Sequence, residues 1–393
     1  MALISDLEKI IYRSHTPQDL YCYTPCLSHG FDGRLLLSFD IAGRALPREP
    51  GPKSDHGDYG SNQCRIFVSD DHGESWRQTG ALPLLHARVF KAGKALYTLG
   101  HSGRMLISRS ADNGDTWSTP AVLEDTHHWH QSAGTVDYRH GNVYLTMEHV
   151  PFADHWAGGD PVLMRAAETA DLTDPANWTF SNVLRFEQAV PKTPNLFGIQ
   201  PSCWLESSVL RIYDPAHAFY DPADRTVLLL MRIAGTRINN YAALAVGREA
   251  ADGSLTLDTL KQADGTPLLY LPFPGGYMKF QILYDEVDRR YWSIASRAVW
   301  SSLRRPGALP KSWFGERQRL ELFHSTNLID WCSAGVVAVG PCDSGSRHYA
   351  SVLADGDDLL VLSRSGDEQA KNSHDTNLIT LHRVNGFRAL ARD

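Results

Sequence analysis

Short apolar runs recur along the chain, each broken by a Gly- or Asp-rich turn and followed by a second, β-rich run. The pattern is visible in CLSHGFDGRLLLSFD, ARVFKAGKALYTLG, TVDYRHGNVYLTME, AFYDPADRTVLLLMR, ILYDEVDRRYWSIASR and SVLADGDDLLVLSR. Each run is too short for a buried helix and is rich in residues that suit a pleated surface, so each segment predicts a hairpin. YDPADR at Tyr220 and YDEVDR at Tyr284 are near-copies. Six hairpins of one kind predict an all-β chain, a single β-propeller of four-stranded antiparallel blades over residues 1–393, each hairpin giving the two inner strands of a blade. A seventh blade is expected around 186–215, where Trp204 to Ile212 also reads as a strand. The segment Ile10-Ile11-Tyr12 is expected to complete the last blade and close the ring.

Two octapeptides reinforce the repeat. SDDHGESW runs from Ser69 to Trp76 and SADNGDTW from Ser110 to Trp117, and a degenerate copy, STNLIDW, runs from Ser325 to Trp331. The pattern S-x-D-x-G-x-[ST]-W resembles the Asp-boxes of the sialidase-like β-propellers. The resemblance implies that each box is the turn between the third and fourth strands of a blade, tied by local hydrogen bonds from Asp and Ser, with Gly at positive φ and Trp as an anchor.

Composition narrows the class of ligand. A net charge of -7 over 393 residues leaves no basic excess to offset phosphate repulsion, so no nucleic-acid partner is expected. No run of 18 apolar residues is present, so no membrane span is expected. The N-terminal MALISDLEKIIYRS carries charges where a signal peptide is apolar; a mature extracellular form carrying an added Met stays open. Cys22, Cys26, Cys64, Cys203, Cys332 and Cys342 form no CxxC pair and read as free thiols, with a Cys332–Cys342 disulfide as the alternative. The 10 Trp, 15 Tyr and 14 Phe suit both strands and sugar stacking.

Blade geometry says where chemistry belongs. The boxes lie on one face. Binding in propellers usually occupies the other, where the second-to-third-strand loops and the entries to each first strand converge on the axis. Eight positions after the hairpin glycines Gly93, Gly141 and Gly356 stand His101, His149 and Arg364, and the fourth and fifth hairpins end in Arg232 and Arg297. Entering the first strands are His86, His128, His130, Tyr277, Lys279, Arg347, His348 and Tyr349, with Trp204-Leu205-Glu206 before the fourth hairpin. These predict a cationic pocket rich in histidine and aromatics. His15, His29, His56, His72, His140 and His217 fall in loops and turns and read as structural. The long loops Ile41–Asn62 and Trp300–Gly315 would narrow a cleft into a pocket and favour exo action.

Three readings follow. The sialidase family needs an arginine triad for a carboxylate, a Tyr–Glu nucleophile pair and an Asp acid. Arg232, Arg297 and Arg364 imitate the triad, but the family's early Arg-Ile-Pro is replaced here by YRSH and YTPCL. A uronate lyase needs a cation at the carboxylate, a base for the C5 proton and an acid for the O4 leaving group, an inventory of Arg, His and Tyr. The third reading is a glycan-binding propeller without catalysis. The runs HARVFKAGKALYTLGH, ISRSADNGDTWSTP and WHQSAGTVDYRHGNVYLTMEH resemble the Asp-box propellers among polysaccharide lyases, similar to ulvan lyases and L-rhamnose-α-1,4-D-glucuronate lyases, over roughly residues 20–385. Propeller α-L-rhamnosidases share the scaffold. The resemblance implies seven blades, an anionic glycan containing rhamnose and glucuronate, a monomer, and no required cofactor. Some such relatives hold a structural calcium, though no loop here demands one, and no residue is assigned to a metal. It implies His101 and His149 as base and acid, with His86 and His130 next, and Tyr349 or Tyr277 as an alternative acid. Arg232, Arg297 and Arg364 would bind the carboxylate, His348 and Lys279 would line the site, and Trp204 and Tyr241 would stack on sugar.

Overall fold

The structure is a computed structural model that describes residues 2–6, 8–152, 157–192, 201–234, 239–299 and 316–391. It is nearly all β and arranged as a propeller. Each of the six hairpin segments forms the paired inner strands, A and B, of one blade. Blade one uses Tyr21–His29 and Leu35–Ala42, followed by Asn62–Ser69 and Arg77–Leu82 as strands C and D. Blade two uses Leu85–Ala92, the long Ala95–Ser110 and Ala121–His130. The long strand supplies both B and C: up to His101 it pairs with A, and from Gly103, at φ 73°, it pairs with D. Blade three is Asp137–Arg139, Asn142–His149, Asp160–Ala167 and Trp178–Phe180. Blade four is Cys203–Leu210, Thr226–Ala234, Tyr241–Glu249 and Leu255–Asp258. Blade five is Gln281–Asp285, Arg290–Ser296, Arg319–Ser325 and Cys332–Val339.

Blade six, Arg347–Asp355, Asp358–Ser365 and Leu378–Val384, takes its outermost strand from the other end of the chain: Lys9–Arg13 pairs antiparallel with Leu378–Val384. Hairpin by hairpin, the described residues give six blades. Sheet by sheet the count differs, because blades two and three share one seven-stranded sheet and a two-stranded ribbon stands apart. The strand expected around Trp204 is strand A of blade four, and no seventh four-stranded set lies among the described residues.

Burial explains why the blades hold together. Apolar clusters lie between neighbouring blades, such as Trp292, Leu322, Val352 and Val361 between blades five and six, and Leu37, Phe39, Leu360 and Leu362 between six and one. Strands buried on both faces therefore read as near-continuous apolar runs. All six cysteines are free, so the Cys332–Cys342 bridge does not form. Among the described residues, no helix is long and apolar enough to cross a membrane.

The boxes are the C–D turns. Asp71 Oδ1 accepts from Ser69 Oγ at 2.7 Å and from the Ser75 backbone at 2.8 Å, and Ser69 Oγ accepts from the Gly73 backbone at 2.9 Å. Asp112 repeats this with Ser110 and Thr116. His72 and Gly73, like Asn113 and Gly114, have positive φ. The hydrogen bonds, led by that of Ser75, hold the Asp71 carboxyl down to about 2. The Asp71→Ala variant is expected to lower Tm with kcat/KM unchanged. A fall in kcat/KM at unchanged Tm would remove the box from its architectural role.

Candidate functional site

One cavity of about 1130 Å3 opens on the axis at the face away from the boxes. Its construction repeats from blade to blade. In blades one, two, four and six, strand A carries a β-bulge at the same place, spending three residues against two of strand B: Tyr23/Cys26, Leu85/Arg88, Leu205/Ser208 and His348/Ser351. A bulge re-aims a side chain that an unbroken strand would send elsewhere. The bulges hold Thr24, His86, Glu206 and Tyr349, all of which line the cavity. His86, Glu206 and Tyr349 have φ of 49°, 59° and 51°. Each such left-handed, non-glycine residue costs roughly 1–3 kcal/mol, so the surrounding bonds must over-determine it. Paired with the residue before each bulge stand Asp40, His101, Arg232 and Arg364 on strand B. Blades two, four and six thus each line the cavity with one A-strand and one B-strand residue, while in blade one Thr24 lines it and Asp40 is buried behind His86.

The arginine end of the cavity centres on Tyr349. Its hydroxyl donates to Glu206 Oε1 at 2.6 Å and accepts from Arg232 Nη1 at 2.5 Å. Arg232 also reaches Glu206 Oε2 at 3.1 Å, and its Nε donates to the Tyr277 carbonyl at 2.8 Å. Burial pushes the Glu206 carboxyl up, but Arg232 and the Tyr349 hydroxyl outweigh it, and the net shift is downward, keeping it ionised. Burial, partly offset by Arg232, pushes the Tyr349 hydroxyl up to about 12. The guanidinium groups of Arg232, Arg317 and Arg364 lie 5.9, 5.7 and 5.4 Å from the Tyr349 ring centroid. Arg364 is 2% exposed, stacks over Tyr23 at 4.2 Å and donates to the His374 carbonyl. Its Nε is buried with no partner, and no carboxylate pairs with it among the described residues.

The histidine end is built from blades two and three. His86 Nδ1 lies 2.7 Å from Asp40 Oδ2, which also accepts the His86 backbone N–H at 2.6 Å. His130 Nδ1 lies 2.8 Å from Glu148 Oε2. Both carboxylates leave Nε2 as the other ring nitrogen and fix the ring's orientation. His101 lies between them, 3% exposed, with neither ring nitrogen partnered. Burial, with His130 and His86 beside it, pushes its imidazole well below the ordinary value. The two ends are joined, because Glu148 Oε1 accepts the backbone N–H groups of Glu206 and, at 3.2 Å, of Ser207. Glu148 therefore positions both His130 and the bulge that presents Glu206.

Of the residues expected from sequence, His101, His86, His128, His130, Glu206, Tyr349, Arg232 and Arg364 line this cavity. His149 does not. It packs on His127 at 4.8 Å, half-buried outside the cavity, and Glu148 takes the inward place. The reason is turn phase. Gly93 and Gly356 are the first residues of their two-residue turns, whereas Gly141 is the second, after His140. Counted from the first residue of strand B, the inward positions are His101, Glu148, Arg232, Ser296 and Arg364. The same count displaces Arg297, which follows Ser296, leaves the cavity and pairs with Glu321 at 2.8 Å.

The remaining candidates support the site from behind or pack elsewhere. His348 is buried, with Nδ1 3.1 Å from Arg317 Nη1. Tyr277 donates its hydroxyl to the Glu316 carbonyl at 2.6 Å, and Lys279 Nζ donates to the Ala350 carbonyl at 3.1 Å. Burial pushes the Lys279 ammonium down to about 8. Trp204 is core, edge-on to Phe186, and Tyr241 packs against the same apolar cluster, so neither stacks on a ligand in the cavity. Sequence reasoning gave no role to Glu206, Glu148 and Asp40, and missed Arg317, which enters ahead of strand C of blade five. His56 was expected to be structural but lines the cavity, with Nε2 2.9 Å from His128 Nε2. The loop after Ile41 thus reaches over the site, while the loop Trp300–Gly315 lies outside the described residues.

Two buried histidines make stability pH-dependent. Burial pushes the His348 imidazole well below its usual value and that of His382 down to about 3. In the unfolded chain both return to about 6.5. The unfolded state then binds more protons below that pH, so stability is present above pH ~6.5 and is lost as the pH falls. Tm is expected to drop between pH 7 and pH 4. A Tm flat across that window would show that these rings are not held neutral.

No protein-family model and no curated protein matches the chain. Solved structures do. The Hadza microbial sialidase Hz136 superimposes with a TM-score of 0.59 at 12% identity, covering 96% of this chain and 68% of that one. Trypanosoma rangeli sialidase in complex with sialic acid gives 0.58 at 14% identity, with 99% and 60% covered, so this chain spans about three fifths of that protein's length. The GH93 α-L-arabinofuranosidase of Fusarium graminearum in complex with arabinobiose gives 0.53 at 13% identity, with 97% and 98% covered. The chain has the sialidase-like propeller fold. At these identities the likeness carries the fold alone, and none of the three is a lyase.

Proposed function

We propose that the protein is a retaining glycoside hydrolase acting on a sugar that carries a carboxylate at or beside the anomeric carbon. The observation that carries this reading is the Tyr349 hydroxyl held between Glu206 Oε1 and Arg232 in a cavity that also presents Arg364. A carboxylate next to the anomeric carbon repels an anionic nucleophile. A tyrosine avoids this, because it arrives neutral and loses its proton only as it attacks. Tyr349 Oη bonds to the anomeric carbon, its proton passes to Glu206, and the glycosidic C–O bond breaks. The leaving oxygen takes a proton from the histidine end. Water then reverses the sequence and frees Tyr349. Arg364 and Arg317 bind the carboxylate, where planar, charge-assisted pairs are strongest.

Two departures from the sialidase pattern define this chain. The Arg-Ile-Pro arginine is absent, and Arg364 on blade six stands beside Arg232 and Arg317 instead. Glu206 is the one carboxylic acid among the described lining residues, so the family's aspartic acid has no counterpart there and histidine takes that task. Aryl glycosides of carboxylate-bearing and neutral sugars test the reading: cleavage confined to the former supports it, and equal cleavage of both contradicts it.

The uronate lyase is the second reading. It draws on His101, a neutral imidazole with no partner and suited to remove a proton. It predicts absorbance growing near about 235 nm from the conjugated uronate on rhamnosyl-glucuronate glycans. Released reducing sugar without that band favours the hydrolase.

A further inference from the structure

We infer that His86, His101 and His130 form a binding site for a divalent transition-metal ion, of which Zn2+ is the prototype. One potential ligand atom from each lies within 4.8 Å of the others. The ring centroids form a nearly equilateral triangle, 5.6 Å from His86 to His101, 5.4 Å from His86 to His130 and 5.3 Å from His101 to His130. Nitrogens arranged tetrahedrally about zinc stand roughly 3.3 Å apart, from Zn–N bonds of about 2.05 Å. Rotation of the His101 ring, which no hydrogen bond holds, would shorten the spacing when an ion binds.

Two further observations point to a ligand at this place. His101 is 3% exposed, and both its ring nitrogens are buried without a partner in a cavity otherwise rich in hydrogen bonds. A buried polar group left this way normally answers to something bound. The outer rings are also prepared as metal ligands. His86 Nδ1 meets Asp40 and His130 Nδ1 meets Glu148, the carboxylate–histidine arrangement that turns Nε2 toward a metal and raises its basicity. Three imidazole ligands with no carboxylate or thiolate among them favour zinc, copper, nickel or cobalt over calcium or magnesium. Three protein ligands leave a fourth position open to water or a substrate oxygen, the pattern of a catalytic rather than a structural zinc. The site differs in its all-imidazole chemistry from a calcium site, which takes oxygen ligands, and it does not depend on the hydrolase reading.

The test is calorimetric titration of chelator-treated full-length protein with Zn2+, with Co2+ absorption as a report on geometry. One ion per chain is expected, with a tetrahedral Co2+ spectrum. His101→Ala and, separately, His86→Ala should each weaken binding at least about 100-fold, and Asp40→Asn about 10–100-fold through the lost second-sphere bond. His86→Ala is the safer variant, because its ring is partly exposed and its loss leaves a smaller void. Tyr349→Phe should bind Zn2+ as the parent does, so failure of the hydrolase reading leaves this result unaffected. Absence of saturable binding overturns the site. So does binding unchanged in both His101→Ala and His86→Ala, and if it then falls in His56→Ala the ion belongs to the exposed His56–His128 pair.

Discussion

Tyr349→Phe is expected to lower kcat for cleavage of a carboxylate-bearing glycoside by about a thousandfold or more, with little change in ground-state affinity. The substitution removes one oxygen. That oxygen is the proposed nucleophile, so the loss falls on the transition state and not on binding. The ring remains to support the stacked guanidinium groups of Arg364, Arg317 and Arg232. The carboxylate of Glu206 keeps its ion pair with Arg232 at 3.1 Å, so the fold should hold. Steady-state kinetics with far-UV circular dichroism as a fold control decides it. Activity within tenfold of the parent would take Tyr349 out of the chemistry.

The second large effect is expected at Arg364. Arg364→Met should weaken binding of a carboxylate-bearing sugar on the order of 100-fold, the value of one bidentate charge-assisted contact of about 1.5–3 kcal/mol. Binding of the corresponding neutral amide should change little. Tm should hold or rise, because a buried guanidinium with no carboxylate partner among the described residues gives way to an apolar chain of similar reach. Calorimetry with the acid and amide pair reads the difference. An equal loss for both ligands would make Arg364 a general structural support and not the carboxylate's partner.

The fold was legible in the sequence because each blade announces itself by an inner hairpin, and blades one and two announce themselves again by a box at the far end of strand C. The candidate site was legible only as far as the repeat held in phase. Where the hairpin glycine opens a two-residue turn, counting eight residues from it lands on His101 and Arg364. Where it closes the turn, as at Gly141, the count overshoots by one and lands on His149 instead of Glu148. In a strand a one-residue slip exchanges the faces, so the error replaces an inward side chain by an outward one. Arg297 in place of Ser296 is also off by one residue, here because the end of strand B was taken one residue too late.

Other residues were hidden for different reasons. His86, Glu206 and Tyr349 were named as strand entries, but their bulges were not, because no glycine or asparagine marks the positive φ. Their signal was positional, since His86, Glu206 and Tyr349 stand at matching entries to strand A. Asp40 closes the first hairpin segment as His101 and Arg364 close theirs, and alignment of the six hairpins could have found it. Arg317 sits outside every hairpin, where no repeat constrains it. Acidic residues were passed over because the expected pocket was cationic. Asp40 and Glu148 act there by orienting histidines, a role that charge counting does not reveal.

Trapping the glycosyl-enzyme tests the central claim most directly. A fluorinated, carboxylate-bearing glycosyl fluoride that reacts rapidly and turns over slowly should leave one sugar on the protein. Tryptic digestion cuts after Arg347 and Arg364 and isolates HYASVLADGDDLLVLSR, in which Tyr349 is the only tyrosine. The account predicts the added mass on that peptide, fragmenting to Tyr349. Turnover of the substrate with the mass on any other residue, or with an unsaturated uronate as product, would contradict it.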